Sequence, residues 1–171
     1  MSKRLFYVVD PMCSWCYGFK DALDSVLPEI APDVEVSLVM GGLAADSNEP
    51  MDEQTKGYVQ DAWRAVGTQT GAEFNHEFWS KCAPRRSTYP SCRAVIVAAE
   101  IGMQWEMLAA IQRAYYREAR NPSDNGTLIE LAGELGIDMG IFAERLASDE
   151  VEAALAAHFA LRKQLGASSF P

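Results

Sequence analysis

The sequence predicts an α/β fold in which a βαβ unit carries a large helical insertion. A continuous apolar run at residues 5–9 stops at Asp10-Pro11, which predicts a strand buried on both faces. Apolar residues alternate at 34–40 up to Gly41-Gly42 and predict a second strand. One helix lies between the two strands, and such a crossover is typical of a parallel pair. From residue 43 to about residue 166 the apolar spacing is helical throughout.

The helix after the first strand carries apolar residues at helical spacing, and Pro28 is expected to kink or end it. In the insertion, a helix around residues 53–66 is expected to place Tyr58, Val59, Ala62, Trp63 and Val66 on one face. Further helices are predicted near residues 90–101, 103–119, 127–135, 138–147 and 149–165. Their stops are predicted at Gly102, Gly136 and Gly166, and a capping box at Thr127 and Glu130.

Composition and charge exclude several classes of function. The chain has 171 residues, of which 49% are hydrophobic, so it can bury a core. With 15 Lys and Arg against 24 Asp and Glu, the net charge is −9, which argues against partners such as nucleic acid or an anionic membrane surface. No apolar run approaches the roughly 18 residues of a membrane span, and the apolar run near the N-terminus is too short for a signal peptide. We therefore expect a cytoplasmic protein.

Two of the four cysteines, Cys13 and Cys16, form a C-x-x-C directly after the first strand. We expect Cys13 at the first position of the helix, where free backbone amides and the helix dipole favour a thiolate. Cys16 follows one turn later and is expected to be the more buried, resolving thiol. The spacing alone is weak support for redox chemistry, and an inert pair or half of a zinc site are the alternatives. Zinc needs two more ligands, and Cys82, Cys92, His76 and His158 show no second zinc-binding spacing.

The residues around the pair make the pattern specific. The segments that carry it are 10–19 (DPMCSWCYGF), 39–43 (VMGGL), 89–94 (YPSCRA) and 166–171 (GASSFP). Together they resemble the DsbA family of thiol–disulfide oxidoreductases, and most of all its FrnE-like branch, which lacks a signal peptide. The resemblance implies a thioredoxin-like fold with a helical domain between the second and third strands.

The resemblance also implies a division of the chain and the positions of binding residues. Residues 1–42 are expected to form the N-terminal half of the thioredoxin-like domain, 43–166 the helical insertion, and 167–171 the return to the first domain. Pro171 matches the cis-proline that faces the cysteine pair. Phe170 would then pair its backbone with an extended substrate, and Trp15 would lie at the substrate-binding surface.

The sequence departs from the family pattern at three places. Periplasmic members carry His where this chain has Trp15, so a less oxidising pair is expected. Tyr7 occupies the position at which thioredoxin-type proteins often place a buried acid. Asp10 is expected to support the loop, together with Pro11 and Ser14, by bonding to the backbone; assistance to proton transfer at Cys16 is the alternative.

The third departure is the end of the sequence. In the family, the cis-proline leads into two more strands and a final helix, whereas this sequence stops at Pro171. A two-stranded sheet with an open edge is marginal. We therefore expect that the natural polypeptide continues past Pro171, and that the C-terminal strands and helix are missing from this chain.

Other chemically distinctive residues favour structural interpretations. Cys92 lies on an apolar helix face, so a buried free thiol is preferred over a disulfide with Cys82. His76 and His158 are interpreted as isolated histidines with structural partners. Lys81, Arg85 and Arg86 form a small basic cluster, interpreted as a solvated loop, with steering of an anionic thiol such as glutathione as the alternative. The aromatic residues are expected in the core. They are Trp63, Trp79, Trp105, Tyr115 and Tyr116.

These observations predict a thiol–disulfide oxidoreductase that exchanges disulfides through Cys13 and Cys16. Its partners would be protein or small-molecule disulfides and thiols. No cofactor is expected, apart from glutathione as a candidate co-substrate. The alternatives are a glutathione-dependent isomerase or transferase of the kappa type, against which Cys16 counts, and a redox-inert peptide-binding module.

Overall fold

The computed structural model describes residues 3–30 and 33–171; Met1, Ser2, Ala31 and Pro32 lie outside the described residues. The strands are β1 (Lys3–Val9) and β2 (Val34–Met40). The helices, in chain order, are α1 (Ser14–Gly18), α2 (Lys20–Ile30), α3 (Glu53–Thr70), α4 (Phe78–Lys81), α5 (Tyr89–Ala99), α6 (Gln104–Tyr116), α7 (Asn125–Glu134), α8 (Met139–Leu146) and α9 (Asp149–Gln164). The predicted α/β class, with a βαβ unit followed by a helical region, is confirmed.

The two strands pair in parallel, with Lys3 opposite Val34 and Val9 opposite Met40. The expectation that β1 is buried on both faces is wrong: Tyr7 and Val9 are buried on one face, whereas Phe6 and Val8 on the other face are only half-buried because less of the described chain covers it. Leu5, at the start of the strand, is exposed. Helix α9 packs on β2, and the buried sheet residues Tyr7, Val9 and Met40 lie at its carboxyl end. The buried end of β1 is therefore the end that leads into the cysteine motif.

Pro28 does not end the helix that follows the cysteines. It lies inside α2, which continues to Ile30. Its helix turn is exposed to solvent, so water can bond the carbonyl that the missing proline N–H leaves without a partner. The apolar face of α2 is only half covered by the described residues: Leu23 packs on the core, whereas Val26 is exposed.

The helical region has the predicted helices with shifted ends. Gly102, Gly136 and Gly166 have positive φ angles, as predicted for helix stops. The capping box is wrong: Asp124 is the N-cap of α7, and its carbonyl accepts the first helical bond from the Leu128 amide, so Thr127 already lies inside the first turn. The short helix α4 was not predicted.

The sequence predicts that Tyr58 lies on the buried face of α3, and this prediction is wrong. Val59, Trp63 and Val66 are buried at helical spacing, whereas Tyr58 is 68% exposed. One position before that face, its ring lies at the rim of the helix and lines a cleft. The apolar face predicted for α3 therefore consists of core residues and one surface residue, Tyr58.

Two clusters of buried side chains hold the molecule together. The larger cluster joins Tyr7, Val9 and Met40 of the sheet to helices α5 to α9, and it includes Cys13 and Cys16. The smaller one surrounds Trp63 and includes Met12. The loop with the cysteines thus lies where the two clusters meet. No helix in the described part of the chain is long and apolar enough to cross a membrane.

Candidate active site

Cys13 and Cys16 lie where β1 passes into α1, and both are free thiols. Cys13 is the N-cap of α1 and not its first helical residue, which corrects the sequence-based placement by one position. The shift has a local cause. The backbone amide of Cys13 donates to the carbonyl of Asp10 at 3.0 Å, and this turn keeps Cys13 extended, so the helix starts at Ser14.

The pKa values of the two thiols are shifted in opposite directions. Hydrogen bonding from the Cys16 thiol is the main cause that lowers the pKa of Cys13; burial opposes it, and the backbone amides of Cys16 and Trp15 lower it further. The same contact raises the pKa of Cys16, and burial adds to the rise. Although Cys13 makes no regular capping hydrogen bond, its sulfur occupies the place of an N-cap acceptor. The surroundings therefore favour a thiolate at Cys13 over one at Cys16.

Each sulfur borders a different cavity. Cys13 is 7% exposed and lines a cleft of about 100 Å³ with Trp15, Leu43 and Tyr58. Trp15 is 39% exposed at its mouth. Cys16, at 1% exposure, is the more buried thiol, as predicted.

Cys16 borders a cavity of about 130 Å³ with Tyr7 and Trp105, whose rings stack with centroids 6.3 Å apart. This aromatic wall occupies the place beneath the pair where the family pattern leads one to expect an acid. A disulfide can therefore approach Cys13 along the cleft that Trp15 borders, while Cys16 lies deeper in the protein.

Asp10 is fully buried beside the pair and has four donors. The backbone amide of Met12 donates to it at 2.8 Å, that of Leu43 at 2.7 Å, and the hydroxyl of Thr88 at 2.7 Å. The thiol of Cys92 is a weaker, fourth donor at 3.7 Å. Burial raises the pKa of Asp10, while the bonds from Leu43, Thr88 and Met12 lower it. The backbone bonding predicted for this loop residue is present, and Pro11 and Ser14 are buried beside it.

Phe170 and Pro171 lie at the end of the chain, and the bond between them is cis, as the resemblance implies. The Phe170 ring packs on the larger core and against Gly41, whereas Pro171 is exposed. A Cβ atom on Gly41 would lie 2.7 Å from the ring. Gly41 therefore makes room for Phe170. The binding roles of Trp15, Phe170 and Pro171 stay predictions.

The remaining cysteines and histidines have structural partners. Cys92 is a buried free thiol, and Cys82 is free with its Sγ 3.0 Å from the carbonyl oxygen of Ala119. The ring of His76 lies beside that of Trp63. His158 accepts a hydrogen bond on Nδ1 from the Met40 amide at 3.0 Å. Within residues 3–30 and 33–171, no three His, Cys, Asp or Glu side chains gather in a way that could hold a metal ion.

Two groups at the site were not predicted as site residues. Thr88 follows the basic cluster by two positions, yet it bonds the Asp10 carboxylate across 78 positions of chain. Leu43 contributes its backbone amide to Asp10 and its side chain to the cleft. The only sequence signals are that Leu43 ends the recognised segment 39–43 and that Thr88 directly precedes the segment 89–94, because the contacts themselves depend on the tertiary fold.

Comparisons with known proteins agree with this architecture. A candidate protein disulfide isomerase from Nitrosomonas europaea has 31% identity and a TM-score of 0.88, covering 100% of this chain and 83% of its own. The cytosolic disulfide reductase DsbM from Pseudomonas aeruginosa has 31% identity and a TM-score of 0.81, covering 98% of this chain and 82% of its own. A structure of DsbM from Pseudomonas aeruginosa with GSH has 30% identity and a TM-score of 0.78, and the match covers 98% of this chain and 83% of DsbM.

The comparison with curated protein sequences found no match. A family model described as a DSBA-like thioredoxin domain matches residues 5–171, which is nearly the whole sequence. Placement in the FrnE-like branch stays a prediction. The chain belongs to the family of DSBA-like thioredoxin domains, the class of thiol–disulfide oxidoreductases that the motif around Cys13 predicts.

Proposed function

We propose that Cys13 and Cys16 form the redox pair through which this protein reduces disulfides. The observation that carries the proposal is the asymmetry of the two thiols. Cys13 has a lowered pKa and borders the cleft, whereas Cys16 has a raised pKa and is nearly inaccessible. A thiol that attacks must be a thiolate with access to the substrate, and a resolving thiol must be held nearby and kept from competing.

The reaction follows from these positions. The Cys13 thiolate attacks one sulfur of a substrate disulfide; a Cys13–substrate bond forms, the substrate S–S bond breaks, and the first substrate thiolate leaves. Cys16 then loses its proton, which the leaving thiolate can take up, and attacks the Cys13 sulfur. The second substrate thiolate is released, and a Cys13–Cys16 disulfide remains. Two thiols must return two electrons to the pair before the next turnover.

The relatives support the direction and the setting. DsbM is a cytosolic disulfide reductase that was solved with GSH. We infer the same compartment for this protein, with glutathione as a co-substrate of the exchange. Protein or small-molecule disulfides would be the substrates, and an extended peptide would pair with the backbone of Phe170. The chemistry of thiol exchange needs no metal and no nucleotide.

The test is the reduction of insulin disulfides by three cysteine variants. Cys13→Ser should abolish it, because no other described thiol combines a lowered pKa with a place on the cleft. Cys16→Ser should trap mixed disulfides that a gel without reductant resolves. Cys82→Ser removes a thiol outside the cleft and should retain full activity. Full activity of Cys13→Ser would remove the mechanism.

The two alternatives make different predictions for Cys16. A glutathione-dependent isomerase or transferase needs no resolving thiol, so Cys16→Ser would keep its turnover. A redox-inert binding module would not turn over any disulfide. Turnover of glutathione disulfide and a peptide disulfide, measured beside the Cys13–Cys16 reduction potential, separates the three.

A further inference from the structure

The basic cluster predicted from the sequence is not one cluster in the structure. Lys81 pairs with Glu77 at 2.6 Å. Arg85 pairs with Asp124 at 2.7 Å and donates to the carbonyl of Ser123. Arg86, the next residue, lines the cleft beside Cys13. The two adjacent arginines therefore serve different surroundings.

Arg86 also differs from the other arginines in its partners. Among residues 3–30 and 33–171, every other arginine pairs with a carboxylate, apart from Arg162, which bonds the carbonyl of Gly41. For Arg86 the same residues provide neither a salt bridge nor a hydrogen bond. Its side chain is half-buried, yet none of its nitrogens is a buried atom without a partner, so its donors reach solvent. Arg86 is therefore a cation available to a ligand.

The cleft gives that cation an apolar setting. Its walls include Trp15, Leu43, Tyr58 and Trp63, and no carboxylate of the described residues lines it. A single charge between apolar walls acts over a longer distance than one that faces bulk water. In a protein with a net charge of −9, the cleft at Cys13 is thus a place where an anion is favoured.

The size of the cleft restricts what Arg86 can hold. At about 100 Å³ it is much smaller than the roughly 300 Å³ at which ligand pockets usually begin. It can take one arm of a substrate next to the sulfur that Cys13 attacks. A carboxylate on that arm would meet the guanidinium with two parallel hydrogen bonds.

We propose that Arg86 is a specificity-determining residue that binds the carboxylate of a small anionic disulfide of the glutathione-disulfide type while Cys13 attacks its sulfur. The proposal rests on the proposed function and names its substrate class. The exchange is the one given above: the substrate disulfide gains two electrons, its two thiolates leave, and Cys13 and Cys16 become oxidised. Arg86 takes no part in the bond changes and acts only on which disulfide is bound.

The test compares three disulfides of different charge with the pre-reduced protein. They are glutathione disulfide, which is anionic, hydroxyethyl disulfide, which is neutral, and cystamine, which is cationic. Rapid mixing, followed by the change in the protein's tryptophan fluorescence, gives a second-order rate constant for each disulfide without an added reductant. The wild-type protein should prefer the anionic disulfide, and added salt should weaken that preference.

Three variants assign the preference to Arg86. Arg86→Met should lower the rate constant for glutathione disulfide by about tenfold or more, because a charge-assisted hydrogen bond is lost. The rate constant for the neutral disulfide should not change. Arg86→Glu should lower the rate constant for glutathione disulfide further and raise that for cystamine. Arg64→Met removes the same charge from the exposed face of α3 and should leave all three rates unchanged.

The outcomes keep the two proposals apart. Equal slowing of all three disulfides by Arg86→Met, or no slowing of the anionic one, overturns the role of Arg86 and leaves the redox function standing. A wild-type protein that reacts with none of the three disulfides overturns both proposals. A slowing of glutathione disulfide by Arg64→Met as large as that by Arg86→Met shows a general charge effect, and it also overturns the specific role.

Discussion

The carboxylate of Asp10 accepts a hydrogen bond from the backbone amide of Leu43 at 2.7 Å, and this bond joins the two loops that leave the carboxyl ends of β1 and β2. The same carboxylate bonds the amide of Met12 in the cysteine loop and the hydroxyl of Thr88 at the start of α5. One buried side chain therefore holds three distant segments together. Its negative charge also acts on the cysteines, since it opposes the lowering of the Cys13 pKa and adds to the rise at Cys16.

Asp10→Asn should change stability and thiol acidity in opposite senses. An amide cannot accept from all the donors, so we expect a loss of about 1–3 kcal/mol in the free energy of unfolding. Removing the negative charge should lower the pKa of Cys13 further and make the pair more oxidising. Urea unfolding and thiolate absorbance against pH measure the two effects.

Thr88→Val is the matched control for this variant. It removes one bond to Asp10 but leaves the charge in place, so it should destabilise the fold without lowering the pKa of Cys13. If Asp10→Asn leaves the pKa of Cys13 unchanged or raises it, the electrostatic role of Asp10 is wrong.

The Cys16 thiol should set the reactivity of Cys13. Because its hydrogen bond is the main cause that lowers the pKa of Cys13, Cys16→Ala should raise that pKa toward the ordinary thiol value. Cys16→Ser should raise it less, since a hydroxyl can still donate. The rate of Cys13 alkylation by iodoacetamide against pH gives the midpoint for each variant. Equal midpoints for the alanine and serine variants would contradict the hydrogen bond as the cause.

Local sequence signals were enough for the frame of the molecule. The apolar run that stops at Asp10 and the alternation that stops at Gly41 predicted both strands, and three glycines marked helix stops. Helix periodicity did not predict elements or helix ends that span about one turn or less. Helix α4 spans only four residues, and α7 starts after Asp124, whose side chain makes no capping bond, so no capping pattern marks the start.

The candidate site was predicted only as far as it is local. Cys13, Cys16 and Trp15 lie within one turn of helix, so their spacing could be interpreted directly. Thr88 and Arg86 reach the site from the helical region, and neither carries a motif that distinguishes it from a surface residue. The difference between Arg85 and Arg86 depends on which acidic residues the tertiary fold brings near each, which the sequence of a basic loop does not encode locally.

His158 should make the stability of the fold dependent on pH. Burial lowers its pKa below the ordinary histidine value of 6.5, and its unprotonated Nδ1 accepts a hydrogen bond from the Met40 amide. Below about pH 6.5 the unfolded chain therefore binds a proton that the folded chain resists, so this contribution is present above that pH and is lost as the pH falls.

His158→Phe tests the contribution by removing both the acceptor and the titration. At about pH 7.5 it should cost about 1–3 kcal/mol, because the Met40 amide loses its partner. At about pH 5.5 the gap between wild type and variant should be smaller. Urea midpoints at the two pH values measure it, and a gap that widens at the lower pH would show that the sign is wrong.

The close approach of Gly41 to Phe170 leads to the last prediction. In Gly41→Ala the new Cβ would lie 2.7 Å from Cε1 and 2.8 Å from Cζ of the Phe170 ring, so the ring must move. We expect a loss of about 1–3 kcal/mol from overpacking. We also expect slower reaction with a peptide disulfide, since the proposed binding backbone moves with the ring.

Gly57→Ala, in α3 with no atom within 4 Å of the added Cβ, is the control and should be neutral or stabilising. Alkylation of Cys13 by iodoacetamide should stay at the wild-type rate in Gly41→Ala, because the substitution leaves both cysteines and the hydrogen bond between them in place. A peptide-disulfide rate unchanged while the stability falls would mean that Phe170 packs the core without contacting the substrate.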